Sequence, residues 1–368
     1  MGNVYAAAPP PSTNMALSPP TLPPPQAAGS PGEVAQQPPS NADDNNPGTY
    51  EDLHKKCKEL FPQNFEGGKL IISKSLSSHF QVSHTINMSG TNPALSGYRF
   101  GTTYIGSKQL SPSEVYPVII GDVDASGNLN ANIIHAFSQR LRSKLVSQFQ
   151  DSKCTAAQGT LDYKGDDYTA SLTVGNLDII NNSGIAITQY LQTVTSRLAL
   201  GGELVYQYGP QIPGKQFTVL SLAARISGEK WQLTGNYCPT GGAMHACYHH
   251  KVSDQLQVAA EVETSIASRE SVGTIGYQLE IPSTNVTFKG QLDTNWSVGG
   301  TMEKKLMPLP FTFALSGMAN FANIQKPQYR FGIGLIKLLL SQPIRAVVTK
   351  RNYDQKIVET EMSFQQQV

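Results

Sequence analysis

The chain has 368 residues, of which 39% are hydrophobic and only 15% are charged. Lysine and arginine total 28 while aspartate and glutamate total 27, so the formal net charge is +1. A protein that binds nucleic acid by neutralising phosphates carries a clear basic excess, so the composition excludes this class. No window holds the roughly 18 uninterrupted apolar residues of a membrane-spanning helix, which excludes a helical membrane protein.

The first 47 residues are rich in proline and contain neither lysine nor arginine. Such a composition buries too little apolar surface to offset the entropy of ordering, so residues 1–47 are predicted to form a disordered tail. Its proline runs suit either a plain spacer or a docking segment. The N-terminus lacks the basic and apolar regions of a secretory signal peptide, so export by that route is not expected.

A single amphipathic helix is predicted over residues 48–62. Thr49 can cap its N-terminus, Asp52 can complete a capping box, and Pro62 ends it. Four apolar residues recur at helical spacing and would line one face: Leu53, Cys57, Leu60 and Phe61. A helix this short needs a surface to lie against, which could be a partner, a lipid interface or the inside of a barrel.

From Lys69 to Ile336 apolar and polar residues alternate with a period of two, as from Tyr168 to Val174. About nineteen such segments follow one another, each near the roughly 9–11 residues that a tilted strand needs to cross a bilayer. The opposite face is polar but sparsely charged, which favours a water-filled barrel over a soluble sandwich. Aromatic residues typical of membrane interfaces lie near strand ends: Tyr163, Tyr206, Trp231 and Trp296. The chain is therefore predicted to be all-β, a transmembrane β-barrel over residues 69–336, with one short N-terminal α-helix and a disordered proline-rich tail.

Six stretches are long enough to be specific: NPGTYEDLHKKCKELFP (46–62), SSHFQVSHTI (77–86), KQLSPSEVYPVIIGDVDASGNLNA (108–131), LALGGELVY (198–206), SDQLQV (253–258) and FKGQLDTNWSVGGTMEKKLMPLPFTFAL (288–315). In this order they resemble the eukaryotic porin family, and within it the channel-forming subunits of the translocase of the outer mitochondrial membrane. The proline-rich tail before the helix fits the same subunits.

The resemblance implies a nineteen-stranded barrel in the mitochondrial outer membrane, with its first and last strands parallel and the helix inside the lumen. Both termini would face the intermembrane space, and unfolded precursor proteins would pass through the pore. It also implies partners, namely the precursors with their presequences, a helical receptor subunit, small single-helix subunits and a second barrel.

The last predicted strand carries most of the insertion signal of that family, a polar residue, a glycine and two hydrophobic residues at fixed spacing. Arg330, Gly332 and Leu335 match its first three positions, but the last position is Lys337. Residues 337–368 follow as a C-terminal extension of unknown structure, for which an extra hairpin, a soluble tail and an error in the gene prediction are the alternatives.

A lumen that guides mitochondrial targeting sequences should display carboxylates, because these sequences are rich in arginine and poor in acids. Strand alternation places five acids on the polar face, which we interpret as presequence-guiding lumen carboxylates: Glu203, Glu261, Glu263, Asp293 and Glu303. Asp162 and Asp167 are further candidates. The alternative interpretation is that these acids are ordinary hydrated charges, paired with neighbours such as Lys289 and Lys164.

No chemical step is indicated by the sequence. Five potential metal ligands cluster around one turn, but they lack the two well-spaced pairs that zinc usually requires: Cys238, His245, Cys247, His249 and His250. The sequence has no P-loop, complete dinucleotide motif or nucleophile elbow. We therefore expect no metal, no cofactor and no catalytic residue, and predict that the protein is not an enzyme.

Two further functions fit parts of the pattern. A metabolite pore like the voltage-dependent anion channel shares the barrel and the helix, although the proline-rich tail, the six stretches and the near-neutral charge argue against it. A soluble all-β binding protein would also show alternating strands. The leading prediction is a protein-conducting channel that imports mitochondrial precursors.

Overall fold

The computed structural model describes residues 45–90, 96–111, 114–151, 153–178, 183–210, 212, 214–266, 268–322 and 327–339. Only the last three residues of the predicted tail over 1–47, and only the first three of the extension over 337–368, are among them. Within the described part of the chain, no helix is long and apolar enough to cross a membrane.

Nineteen strands make up most of the described residues. They are β1 Gly67–Ser75, β2 Phe80–Met88, β3 Gly97–Ser111, β4 Glu114–Asp124, β5 Leu129–Ala136, β6 Leu141–Gln150, β7 Lys153–Lys164, β8 Tyr168–Asp178, β9 Ser183–Thr195, β10 Leu198–Tyr208, β11 Gln216–Ser227, β12 Trp231–Cys238, β13 Ala243–Lys251, β14 Leu256–Ser265, β15 Glu270–Ile281, β16 Val286–Asp293, β17 Ser297–Lys305, β18 Phe311–Asn320 and β19 Gln328–Leu339. Each strand pairs antiparallel with the next along the chain, and β1 pairs with both β2 and β19.

The barrel closes where β1 and β19 run parallel, in a register that pairs Gly67 with Gly332 and Lys74 with Leu339. Closure leaves no strand edge unpaired, which a sheet needs if lipid surrounds it. The predicted nineteen-stranded barrel is confirmed, including its parallel seam. The strands extend slightly beyond the predicted bounds of 69–336, so Lys337 belongs to β19 rather than to the extension.

The two faces of the strands separate apolar from polar side chains. On β8, Leu172 is exposed on the outside, whereas Thr169, Ser171 and Thr173 are buried on the inside. The four aromatic residues that the sequence placed at the membrane interfaces are all exposed: Tyr163, Tyr206, Trp231 and Trp296. An apolar outside and a polar inside are the pattern of a barrel that spans a membrane around a water-filled lumen.

The N-terminal helix is shorter than the predicted 48–62. Its only α-helical turn is α1, Lys55–Lys58, and the residues on either side form turns. Backbone hydrogen bonds before α1 join residues three apart, as from the Leu53 amide to the Tyr50 carbonyl oxygen at 3.1 Å. The Thr49 hydroxyl donates to the Asp52 carboxylate at 2.6 Å instead of capping a backbone amide. Contacts with the barrel wall therefore hold a conformation that helix propensity alone would not select.

Candidate functional site

The segment from residue 45 to residue 66, which we call the luminal segment, lies inside the barrel against its inner wall. Tyr50 and Leu53 form one buried cluster with three wall residues: Leu191, Ala199 and Ala223. Cys57 and Leu60 form a second cluster with Cys247 and Ala259, against which Phe61 packs. The apolar residues that the sequence predicted to share one face of a helix are thus the buried residues of the segment. The surface that this face packs against is the barrel wall from β9 to β14.

Polar contacts fix the luminal segment along its whole length. Asn46 Nδ2 donates to the carbonyl oxygens of Gly165 and Tyr168 at 2.8 and 2.9 Å. Two wall side chains donate to carbonyl oxygens of the segment: Arg225 to that of Pro47, and Lys289 Nζ to that of Glu59 at 2.6 Å. The Phe65 amide of the segment donates in turn to Ser316 Oγ of the wall at 3.0 Å. These contacts hold the segment against the barrel from the β7–β8 turn, at Gly165, to β18, at Ser316.

Glu203 lies on the inner face of β10, as the alternation predicted. It shares this face with Ala199, which contacts the luminal segment, and with buried Val205. Its carboxylate accepts a hydrogen bond of 2.6 Å from Gln189 Nε2 on the neighbouring strand β9. A neutral amide positions the carboxylate without cancelling its charge.

Glu261 and Glu263 lie on the inner face of β14, next to the luminal segment. The register between β13 and β14 places Cys247 opposite Glu261 and His245 opposite Glu263. His245 Nε2 is 2.5 Å from Glu261 Oε1 and 3.6 Å from Glu263 Oε1. The Glu261 side chain is 14% exposed and that of Glu263 is 61% exposed, so Glu263 is the one open to the water of the lumen.

The remaining predicted acids divide into two kinds. Glu303 lies on the same face of β17 as Gly299, which contacts Asn64 of the luminal segment, and it is exposed to the lumen. Asp293 also has inward parity, but its carboxylate accepts a hydrogen bond of 2.9 Å from the Ser297 amide and so closes the β16–β17 turn. Asp162 pairs with Arg142 at 3.1 Å, and Asp167 accepts from Gln192 Nε2 at 3.3 Å.

A second sector of the lumen, on β3 to β7, carries charge pairs that the sequence analysis missed. Three cations lie beside acids at 3.1–3.6 Å: Arg99 beside Asp122, Arg142 beside Asp162 and Lys144 beside Glu51. The alternation along each strand that predicted which acids face the lumen would have predicted the same for the wall residues of these pairs. Among the described residues, by contrast, none of the five predicted carboxylates lies within ion-pair distance of a lysine or arginine.

The three residues predicted as the insertion signal meet at the parallel seam. Arg330 Nε is 3.8 Å from the Glu66 carboxylate, and Leu335 pairs with Leu70 of β1. Gly332 lies against Phe65 of the luminal segment. Their role as a signal stays a prediction.

A family model described as eukaryotic porin matches residues 46–332, which is most of the chain. The chain belongs to the eukaryotic porin family. Its relatives include the mitochondrial import receptor subunit TOM40 homolog 2 of Drosophila melanogaster, 49% identical over 291 residues that cover 79% of this chain and 84% of the fly protein. The human TOM40 homolog is 49% identical over 290 residues, which cover 79% of this chain and 78% of the human protein. Among solved structures, a mutant porin of Rh. blastica is 15% identical at a TM-score of 0.41, covering 64% of this chain and 96% of that one.

Within the eukaryotic porin family, identity near one half over most of both chains places this protein in the TOM40 group. The predicted family, a channel subunit of the translocase in the mitochondrial outer membrane, is therefore confirmed. Members of the eukaryotic porin family are channels. The closed barrel with an apolar outside also disfavours the soluble binding protein.

Proposed function

We propose that the lumen conducts mitochondrial precursor proteins across the outer membrane and that its carboxylates guide their basic presequences. The proposal rests on the position of three carboxylates and on the charges around them: Glu203, Glu263 and Glu303. All three lie on the inner face of the barrel, and none is within ion-pair distance of a lysine or arginine among the described residues. Carboxylates of this kind are available to a passing arginine or lysine.

Two cations of the inner wall are engaged by the luminal segment. Lys289 donates to the Glu59 carbonyl oxygen and Arg225 to that of Pro47, so both side chains hold the luminal segment in place. The cations of β3 and β6 lie beside Asp122, Asp162 and Glu51. In the alternative interpretation, neighbours such as Lys289 pair with the lumen acids. Because Lys289 Nζ donates to the Glu59 carbonyl oxygen instead, its position does not support that interpretation.

Weak contacts suit a channel that must release what it binds. An ion pair open to water contributes about 0.2–1 kcal/mol, so no single carboxylate can trap a presequence. Several such contacts along the wall increase the local concentration of a basic segment while leaving each step readily reversible. Transport of this kind needs no bond making or breaking, which agrees with our prediction that the protein is not an enzyme.

The proposal extends to an assembly. We infer that the barrel works in the translocase complex beside a helical receptor subunit and small single-helix subunits, and that two barrels pair in the bilayer. The support is membership in the TOM40 group together with an outside rich in exposed apolar side chains, which single helices in a bilayer can pack against.

The test is conductance of the refolded full chain in a planar bilayer, with a basic presequence peptide added to each side in turn. The variant Glu203→Gln/Glu263→Gln/Glu303→Gln removes three lumen charges. Loss of three ion pairs, each worth about 0.2–1 kcal/mol, is expected to weaken block by the peptide about 3- to 150-fold. The wild-type channel should prefer cations, and this preference should fall in the variant.

A matched control removes three carboxylates from the rims, through Asp151→Asn, Asp166→Asn and Asp254→Asn. All three residues are exposed and lie in turns. The Lys251 ammonium, 2.8 Å from Asp254, hydrogen-bonds to that carboxyl and lowers its pKa, so Asp254 is charged at neutral pH. Equal loss of block in both variants would refute guidance by the lumen acids. Anion preference and indifference to the peptide would instead favour the metabolite pore.

A further inference from the structure

Four potential metal ligands from three separate parts of the chain meet between the luminal segment and the wall. His54 immediately precedes α1, His245 and Cys247 lie on β13, and Glu261 lies on β14. One donor atom each from His54, His245 and Cys247 lies within 4.8 Å of the other two. The same limit holds for His245, Glu261 and Glu263.

The donor atoms on the wall have the spacing of a metal site. His245 Nε2 is 3.2 Å from Cys247 Sγ, and Cys247 Sγ is 3.7 Å from Glu261 Oε1. Zinc bonds of about 2.0–2.3 Å place the ligand atoms of a tetrahedron about 3.3–3.8 Å apart. The third separation, 2.5 Å between His245 Nε2 and Glu261 Oε1, is a hydrogen bond that a bound ion would open.

His54 offers a buried ring nitrogen to an ion. Its Nδ1 lies 2.9 Å from Thr234 Oγ1, and this hydroxyl donates in turn to the Cys247 carbonyl oxygen at 3.4 Å. The hydroxyl oxygen is then the acceptor from Nδ1–H, which leaves a lone pair on Nε2. That atom is buried and makes no hydrogen bond with the described residues. Histidine ligands typically have their second nitrogen held in this way by a neighbouring polar group.

The ring of His54 also lies beside two of the wall ligands, His245 and Cys247. The centroids of the His54 and His245 rings are 4.1 Å apart, with 43° between their planes. We propose that His54, His245, Cys247 and Glu261 bind one zinc ion, which joins the luminal segment to the barrel wall.

The charges of this set balance. A thiolate and a carboxylate together carry two negative charges, which a divalent zinc ion neutralises while both imidazoles stay neutral. On binding, the Cys247 thiol releases its proton to the water of the lumen. The result is a neutral, four-coordinate site in a half-buried position. An ion that binds the folded barrel and not the unfolded chain also stabilises the fold.

The segment would gain its strongest attachment from such a site. Without the ion, the single turn of α1 is held by packing and hydrogen bonds. Cys57, one turn further along, has its Sγ 3.7 Å from the Ala260 carbonyl oxygen and 3.9 Å from that of Tyr248, so its thiol contacts the backbone of the wall. A zinc ion would therefore fix the start of α1.

The test is titration of the full chain, folded in detergent micelles under a phosphine reductant that supplies no thiolate, with Co²⁺ as a spectroscopic probe. One equivalent should produce a thiolate-to-cobalt charge-transfer band and the intense visible bands of tetrahedral cobalt, and one equivalent of Zn²⁺ should remove both. Loss of a group that only orients a metal ligand already lowers metal affinity about 10- to 100-fold, so loss of a ligand is expected to cost at least that much. We expect this loss in His54→Asn, Cys247→Ser and Glu261→Gln.

Two controls keep the test specific. His249→Asn removes a histidine from the same face of β13, where His249 Nε2 lies 3.1 Å from Gln257 Oε1, and Cys154→Ser removes an exposed thiol on β7. Both should bind cobalt like the wild type, and far-ultraviolet circular dichroism should show that every variant is folded. A wild-type chain without the charge-transfer band would overturn the proposal, as would an unchanged band and affinity in Cys247→Ser or His54→Asn.

Discussion

Arg330 of β19 and Glu66, which immediately precedes β1, form an ion pair across the parallel seam, with Arg330 Nε 3.8 Å from Glu66 Oε2. The two strands that they join are the first and the last of the chain, so this contact forms only when the barrel closes. The next residue, Gly67, pairs with Gly332. The predicted insertion signal and the end of the luminal segment thus meet at the point of closure.

Gly332→Ala is expected to weaken the seam. A Cβ at this position would lie 2.4 Å from the Phe65 carbonyl oxygen, so backbone must move to admit it. Overpacking of this kind costs about 1–3 kcal/mol. Gly300→Ala is the matched control, because its Cβ would meet the nearest atom, the Lys289 carbonyl oxygen, at an ordinary 3.6 Å. Urea unfolding in micelles measures the free energy, and equal losses in the two variants would contradict the prediction.

Leu53→Ala is expected to release the luminal segment from the wall while leaving the barrel closed. Leu53 is 2% exposed and packs in one cluster with Leu191, which is fully buried. Truncating a buried leucine costs about 2–5 kcal/mol, and here the loss falls on the contact between segment and wall. Hydrogen exchange should therefore rise over residues 50–61 but stay unchanged in the strands. Glu59→Ala, at an exposed position, serves as the control, and protection that persists in Leu53→Ala would show that the polar contacts suffice.

Lys337 occupies the last position of the predicted insertion signal, where the pattern that it resembles has a hydrophobic residue. Its Nζ lies 5.0 Å from the centroid of the Phe311 ring, an arrangement that shields the cation near the end of β19. Lys337→Leu should insert into mitochondrial outer membranes at least as well as the wild type, and Lys337→Arg should match the wild type because it keeps the cation over the ring. Phe311→Ala should destabilise the barrel by about 0.5–2 kcal/mol beyond its loss of area. Poorer insertion of Lys337→Leu than of the wild type would show that the positive charge of Lys337 is itself required for insertion.

The period of two made most of this structure predictable. It placed Glu203, Glu261, Glu263 and Glu303 on the inner face correctly, because a strand between lipid and water must alternate along its whole length. The rule fails at strand ends, where Asp293 has the right parity and yet caps a turn. There, local backbone geometry rather than the two solvents determines where a side chain points.

Contacts between distant parts of the chain could not be predicted in this way. The helix over 48–62 was wrong in length, because packing of Leu53 and Leu60 on the wall replaces the capping box and the helical hydrogen bonds. The proximity of His54 to His245 depends on where the luminal segment docks, which no local pattern encodes. Strand alternation did predict that His245 and Cys247 share one face of β13. The part of the cluster that lies on the barrel wall could therefore be predicted from the sequence.

The two neighbouring acids of β14 should differ in their effect on presequences. Glu263 is 61% exposed, whereas Glu261 is 14% exposed and lies 2.5 Å from His245 Nε2. Glu263→Gln should therefore weaken block by a basic peptide by up to about fivefold, the value of one exposed ion pair, and Glu261→Gln by less. Measuring both with a zinc chelator present separates guidance from any metal at the Glu261 site. If Glu261→Gln had the larger effect under these conditions, the carboxylate that a presequence meets would be the one beside His245, and His245 would have to move to expose it.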